Sequence, residues 1–221
     1  MFDIVLCADS TGDPKVVHYF ERFAPMLNAG SIQVIVTHGG TAGITRNAGF
    51  KLASTEWVSY LDGDDILLPE AIEEVIRCAA SGHADIINTG LFRIGADGTP
   101  REMPESLTYK PPVWLYFVDP RTLGHWAFFN QLMAIKRELW RNYPFAELDT
   151  NREDVDFMLH QLLSGRVVRI NKALYGYREL SDGFSSRRYE KGDICAARYD
   201  SGYYAQLFTE RYRADLADNF L

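Results

Sequence analysis

Short apolar runs alternate with stretches of helical period through the first half of the chain. Residues 3–8 (DIVLCA) are an apolar run bounded by polar residues, the pattern of a buried strand. Residues 14–28 place Val17, Phe20 and Phe23 near one helical face. Residues 32–37 (IQVIVT) predict a second strand, ending in His38-Gly39-Gly40. Residues 45–54 (TRNAGFKLAS) predict a helix with a glycine that lets another backbone come close. Residues 57–61 (WVSYL) predict a third strand that runs directly into Asp62-Gly63-Asp64-Asp65. Pro69 suits the first position of a helix, where its missing N–H costs nothing. Ile72, Val75, Ile76 and Ala79 give that helix an apolar face, and Gly82 is a natural stop. Residues 85–89 (DIINT) predict a fourth strand.

Such alternation predicts βαβ units, hence an α/β fold with a mostly parallel central sheet flanked by helices. Ligands of such sheets bind at the carboxyl ends of the strands. Asp9, His38 and the DGDD turn are the polar strand ends here, and the topology gathers them on one edge.

The second half has a different texture. Residues 95–112 are rich in Gly, Pro and charge, so a loop or a hairpin. Three of the four tryptophans (Trp114, Trp126, Trp140) fall in residues 113–147. Glu153-Asp154 opens a helix with Val155, Met158, Leu159 and Leu162 on its apolar face and Gly165 at its end. Residues 166–178 read as a pair of strands, and the tail from residue 189 carries aromatics at loose helical spacing. The organisation expected is a first half over residues 1–105, a second half of the same domain over 106–188, and a helical tail over 189–221.

Composition narrows the function. The 221 residues carry a formal charge of -7, which excludes the basic face that a nucleic-acid binder needs. It leaves phosphate ligands open, because a bound divalent cation supplies positive charge locally. Cys7, Cys78 and Cys195 form no CxxC or Cys/His pattern, so they read as reduced thiols of a cytoplasmic protein. No apolar stretch approaches a membrane span, and attachment at a membrane surface stays open.

The DGDD turn is the first candidate for chemistry. Three carboxylates within four positions repel one another unless a cation neutralises them. An oxygen-only donor set suits Mg²⁺ or Mn²⁺, held by one or two carboxylates together with substrate phosphates. An acidic turn capping the next helix is the alternative reading of the same residues.

The surrounding sequence favours the first reading. Residues 43–76 (GITRNAGFKLASTEWVSYLDGDDILLPEAIEEVI) resemble the central block of family-two glycosyltransferases, which have the GT-A fold. That family carries an ARNxG-type helix, then a strand ending in an LDxDD turn, then a helix opened by proline. Here the matching residues are Arg46, Asn47 and Gly49, then Leu61, Asp62, Asp64 and Asp65, then Pro69. By resemblance, Asp62 contacts the ribose of a nucleotide, Asp64 holds the metal on the diphosphate, and Arg46 lies near the nucleotide. Asp65 reads as a helix-start residue. The segment from Phe145 to Phe157 resembles the family's ED motif, which implies Asp154 as general base, with Glu153 as the rival and an acceptor contact. Capping of the helix N-terminus is the plainer role for the same acids. His125 and Trp126 fall where the family forms its acceptor site. Tyr177-Arg178 falls where many relatives carry YRxH, and Arg178, Arg187 or Arg188 are the candidates to meet the diphosphate. No histidine follows His160, so a third metal ligand from the protein is not evident.

The chain departs from the family at its start. The family has two strands before the ARN helix, one ending in a PTYN-like turn and one in DDGS. Matching DIVLCADSTGDP to the DDGS strand makes Asp9 a base-binding carboxylate and leaves the family's first strand absent. Matching residues 3–8 to the first strand and VIVTHGGT to the second leaves out an edge strand instead. Taken together, the resemblance implies a metal-dependent, inverting transferase of polysaccharide biosynthesis. It would move a sugar from a nucleoside-diphosphate donor, UDP-linked by preference, to a sugar or glycan hydroxyl. A nucleotidyltransferase and a catalytically weak binding or scaffold module are the rival readings.

Overall fold

The structure is a computed structural model that describes residues 2–9, 15–26, 30–101, 134–147 and 153–180. These residues belong to two compact units, one within Met1–Tyr60 and Ile135–Gln161, the other within Leu61–Ala134 and Leu162–Leu221.

In the first unit, β1 (Ile4–Asp9) is followed by α1 (Lys15–Phe23) and a short 3-10 turn, Ala24–Met26. Then come β2 (Ile32–Thr37), α2 (Ala42–Leu52) and β3 (Trp57–Val58). β1 and β2 pair in parallel from Ile4↔Ile32 to Asp9↔Thr37, as a βαβ unit requires. Asp9 and Thr37 therefore end side by side. The predicted strand over 57–61 is shorter in the structure: Trp57 and Val58 pair antiparallel with Lys136 and Ile135 of β6 (Ala134–Lys136), and the chain then leaves the ladder. β6 leads directly into α4 (Arg137–Asn142).

α2 begins three residues earlier than its apolar pattern suggests, because Thr41 caps it. The Thr41 hydroxyl oxygen accepts the Ile44 N–H at 3.3 Å. Two glycines let α2 pack closely. A Cβ on Gly49 would sit 2.7 Å from Cys7 Sγ, and one on Gly43 would sit 2.0 Å from the Ala146 carbonyl oxygen. Burial beside that helix pushes the Cys7 thiol up to about 11, so it stays protonated and inert.

The core of this unit is aromatic and centred on Phe145, which is 2% exposed. Phe157 of α5 (Glu153–Ser164) stacks on it at 3.7 Å between ring centres. Phe50 and Tyr60 meet it edge-on at 5.8 and 5.6 Å. Threaded through these rings is one buried amide. Asn47 Nδ2 donates to the Phe145 carbonyl (2.9 Å) and to Glu147 Oε1 (3.1 Å), and Asn47 Oδ1 accepts from Trp140 Nε1 and the Phe145 N–H (3.0 Å each). All four of its hydrogen-bonding positions are used.

In the second unit, β4 (Ile66–Leu67) leaves the acidic turn, then α3 (Ala71–Ala80) and β5 (Ile86–Ile94) follow. Residues 166–178 are not two strands. They form a single twelve-residue strand, β7 (Val167–Arg178), parallel to β5 along its length and antiparallel to β4 at its end. The register shifts around Gly90, where an added Cβ would meet the Lys172 carbonyl oxygen at 3.1 Å, and this bulge lets one strand serve where two were expected. The sheet pairings are thus mixed, because the short strand after the acidic turn runs back along β7.

Pro69 does not open α3. It sits in a turn closed by the Ala71 N–H on the Leu68 carbonyl (2.9 Å), with the helix starting two residues later. Ala71 and Val75 face the cluster of Leu91, Leu174 and Tyr175, while Ile76 is 46% exposed, so the buried face is rotated from the one predicted. Gly82, with φ 72°, ends the helix as expected. Residues 94–101 form a tight hairpin: Gly95 and Thr99 share a hydrogen bond, and Arg101 N–H donates to the Arg93 carbonyl. The remainder of the 95–112 segment, most of the 113–147 segment including Trp114, and the tail from 189 with Cys195 lie outside the described residues. Among the described residues no helix is long and apolar enough to cross a membrane.

Replacing Asn47 by alanine removes the partner of the Phe145 N–H and carbonyl and of the Trp140 indole N–H in the aromatic core, and of the exposed Glu147 carboxylate. We expect a loss of about 3 kcal/mol of unfolding free energy, read by urea denaturation; a loss under about 1 kcal/mol would show the network to be dispensable.

Candidate functional site

In the first unit the candidate residues sit at the end of β1 and around α2. The Asp9 carboxylate is half-buried, and its Oδ2 accepts from the Gly40 N–H (2.8 Å) and the Thr37 hydroxyl (3.3 Å). Thr37 in turn meets the Thr45 hydroxyl at 3.0 Å. Gly40 has φ 71°, the left-handed turn that brings its N–H back to Asp9. Asp9 thereby fixes the loop from β2 to α2, a loop whose backbone follows from the Gly-Gly pair.

Arg46 lies on α2 and pairs with Glu153 at the start of α5 (3.0 Å), with side-chain exposures of only 13% and 15%. Its guanidinium covers the Tyr60 ring at 4.5 Å and the Phe145 ring at 5.5 Å. Both charges are largely withdrawn from water, so removing either partner would leave the other uncompensated. The pair ties the first turn of α5, and so Asp154, to α2. Glu153 was the rival for general base. The pair with Arg46 engages its Oε1. Asp154 is half-buried in the first turn of α5.

In the second unit the acidic turn is closed by the Asp65 N–H on the Asp62 carbonyl (3.1 Å). The three carboxylates have different fates. Asp64 is exposed, Asp62 is half-buried, and Asp65 is 8% exposed. Asp65 is not at a helix start, and it does not cap α3. Its Oδ2 accepts the Tyr175 hydroxyl, and its Oδ1 accepts the Arg178 N–H at 2.7 Å. Burial pushes the Asp65 carboxyl above its usual range; the two hydrogen bonds oppose this, and the charges of Asp64 and Asp62 add to it. The Tyr177 phenol is raised as well, first by burial and then by the same three carboxylates. Arg178 closes the far side of the turn: Nε donates to the Asp64 carbonyl (2.6 Å), and Nη1 to the carbonyls of Gly95 (3.3 Å) and Ala96 (3.1 Å).

The donor chemistry of the turn suits a hard divalent cation. Asp64 and Asp62 offer oxygens, while Asp65 is committed to the protein. Among the described residues no three metal-binding side chains are gathered into a cage.

Tyr175, Thr37, Tyr60 and Phe145 were not singled out from the sequence. Tyr175 had a signal, an aromatic two residues before Tyr177 in an alternating strand, but nothing tied it to Asp65. Thr37 could be found only by pairing β1 with β2. His125, Trp126, Arg187 and Arg188 lie outside the described residues.

The Asp65 titration can be checked. A carboxyl raised in the folded state binds its proton more tightly folded than unfolded. Its contribution therefore favours the fold at low pH and is lost as pH rises through the folded value. In Asp65→Asn, the amide can still accept from Arg178 and donate to the Tyr175 oxygen. Measured in EDTA by chemical denaturation, the stability of wild type relative to D65N should fall as pH rises above the ordinary carboxylate range. A difference independent of pH would show that Asp65 ionises as readily folded as unfolded.

The pattern of "Glycosyl transferase family 2" matches residues 2–141. Poly(ribitol-phosphate) beta-N-acetylglucosaminyltransferase TarP of Staphylococcus aureus (strain N315) is 30% identical over 110 residues, covering 49% of this chain and 32% of TarP. The TarS enzyme of the same name from strain Mu50 / ATCC 700699 is 24% identical over 102 residues, covering 46% of this chain and 18% of TarS. The chain thus spans a third or less of these curated relatives. The crystal structure of S. aureus TarS 1-349 in complex with UDP-GlcNAc aligns with a TM-score of 0.63 at 17% identity, over 95% of this chain and 70% of that one. The complex with UDP aligns at 0.61 and 18% identity, with the same coverage. These are likenesses of fold, and they identify the α/β architecture as GT-A. Because the family's pattern covers more than half of the chain and includes both the Arg46-Asn47-Gly49 helix and the acidic turn, the chain belongs to glycosyl transferase family 2.

Proposed function

We propose that the chain transfers a sugar from a nucleoside-diphosphate donor to a hydroxyl of a sugar or glycan acceptor, with inversion. The observation that carries this reading is the division of labour in the DGDD turn. Asp65 is spent on the fold, which leaves Asp64 exposed at a fixed place beside Asp62. The TarS structures with UDP-GlcNAc and with UDP support a UDP-linked donor, and UDP-GlcNAc is the first to try.

In this reading Asp9 meets the base, Asp62 the ribose, and Asp64 holds Mn²⁺ or Mg²⁺, with Arg46 near the nucleotide and Arg178 bracing the acidic turn. The cation, when bound, supplies positive charge that offsets the negative charge of the departing diphosphate. Asp154 accepts the proton of the acceptor hydroxyl as that oxygen attacks the anomeric carbon. The bond from that carbon to the diphosphate oxygen breaks, and the diphosphate leaves with the electron pair. Attack opposite the leaving group inverts the anomeric centre. Glu153 holds the base in place from Arg46 and borders the acceptor, with His125 and Trp126 as further acceptor contacts. Residues 1–105 serve the donor and 106–188 the acceptor. The relatives named for poly(ribitol-phosphate) make a polyol-phosphate chain a natural member of the acceptor panel. We place the protein in the cytoplasm, where nucleotide sugars are held.

Thermal shift and donor hydrolysis, with a panel of nucleotide sugars in Mn²⁺ or EDTA, test the reading. Stabilisation by UDP-GlcNAc that needs Mn²⁺ is expected. No metal-dependent stabilisation by any nucleotide sinks it. Asp154→Asn should lower turnover by roughly a hundredfold or more while changing UDP affinity by less than about twofold. Lost UDP binding in that variant would instead make Asp154 structural.

A further inference from the structure

Arg178 ends β7 with all of its described bonds directed at backbone or at Asp65. Its N–H donates to Asp65 Oδ1 at 2.7 Å, and its guanidinium donates to the Asp64, Gly95 and Ala96 carbonyls. The side chain therefore joins two separate turns, the acidic one and the hairpin tip. The hairpin is itself stiff: Gly98 N–H closes on the Gly95 carbonyl at 2.9 Å, and Gly98 has φ 84°. One end of the fork rests on that hairpin, and the other holds the peptide group that carries the Asp64 side chain. Glu179, the next residue, pairs with Arg93 and Arg101 at 2.5 and 2.6 Å, which fixes the strand end from the other side.

Holding the Asp64 carbonyl sets the direction of its Cα–Cβ bond. Gly63 beside it has open space around it and offers no steric restraint of its own. The geometry points to Arg178 as a positioning residue. It presents the Asp64 carboxylate to the cation through the Asp64 backbone, and its contribution to donor binding runs through that carboxylate. This rests on the donor site proposed above. Lysine cannot replace it, because one ammonium lacks the planar fork that spans two segments.

A double-mutant cycle on UDP affinity tests this, by calorimetry in Mn²⁺ and in EDTA, for wild type, R178Q, D64N and the double variant. R178Q is expected to weaken the Mn²⁺-dependent affinity about tenfold, as loss of a group supporting a metal ligand does. Its affinity in EDTA should be unchanged, and it should add nothing to D64N. Melting curves in EDTA accompany each variant; if R178Q does not fold, R178K is carried through the same cycle. Equal loss in EDTA, or losses that add, would mean a direct contact with the diphosphate and overturn the inference. No loss at all also overturns it. Wild type without metal-dependent UDP binding overturns the glycosyltransferase reading and this inference with it. Wild-type binding with an additive cycle overturns only the inference.

Discussion

Burying a carboxylate removes several water hydrogen bonds, and a protein tolerates this only where its own donors replace them. At Asp65 the replacements are the Tyr175 hydroxyl and the Arg178 N–H, both from the last turn of β7. This interaction sets the arrangement of the acidic turn. It brings the strand end to the turn, where the Arg178 side chain reaches the Asp64 carbonyl. The antiparallel pairing of β4 with β7, Ile66↔Gly176 and Leu67↔Tyr175, continues from the same contacts. Three adjacent acids would otherwise repel into many conformations. Fixing one of them leaves a defined pair.

The first unit uses the same principle with a neutral group. Asn47 satisfies four polar groups among aromatic rings, and Arg46, its neighbour on α2, turns toward Glu153 over the faces of Tyr60 and Phe145. Both units thus bury a polar residue beside a neighbour in the chain whose side chain stays polar and held.

Much of this was legible in the chain. The strand–helix alternation, the glycine that lets α2 approach β1 and the Gly82 stop follow from local pattern, as does the acidic turn, although the strand expected to run into it ends at Val58. The family was visible in Arg46-Asn47-Gly49 and the DGDD turn at their spacing. What the pattern could not supply was pairing. Residues 166–178 look like two strands because Gly176 and the polar Asn171-Lys172 interrupt the apolar run, yet β7 bulges opposite Gly90 and continues as one strand. Pro69 reads as a helix opener because Pro suits the first position of a turn as well as of a helix. Asp65 read as a helix-start acid because its true partners lie 110 and 113 residues away. The same distance in sequence hid Glu153 as the partner of Arg46.

Asn47 stands inside the segment by which the family is recognised, yet every bond it makes is to the fold. A descendant of this chain that lost its carboxylates, and its chemistry with them, would still need that amide to close its aromatic core. Finding the Arg-Asn pair in a sequence therefore reports that this core is built. In the proposed function, it is the state of Asp62, Asp64 and Asp154 that would separate a working copy from a silent one.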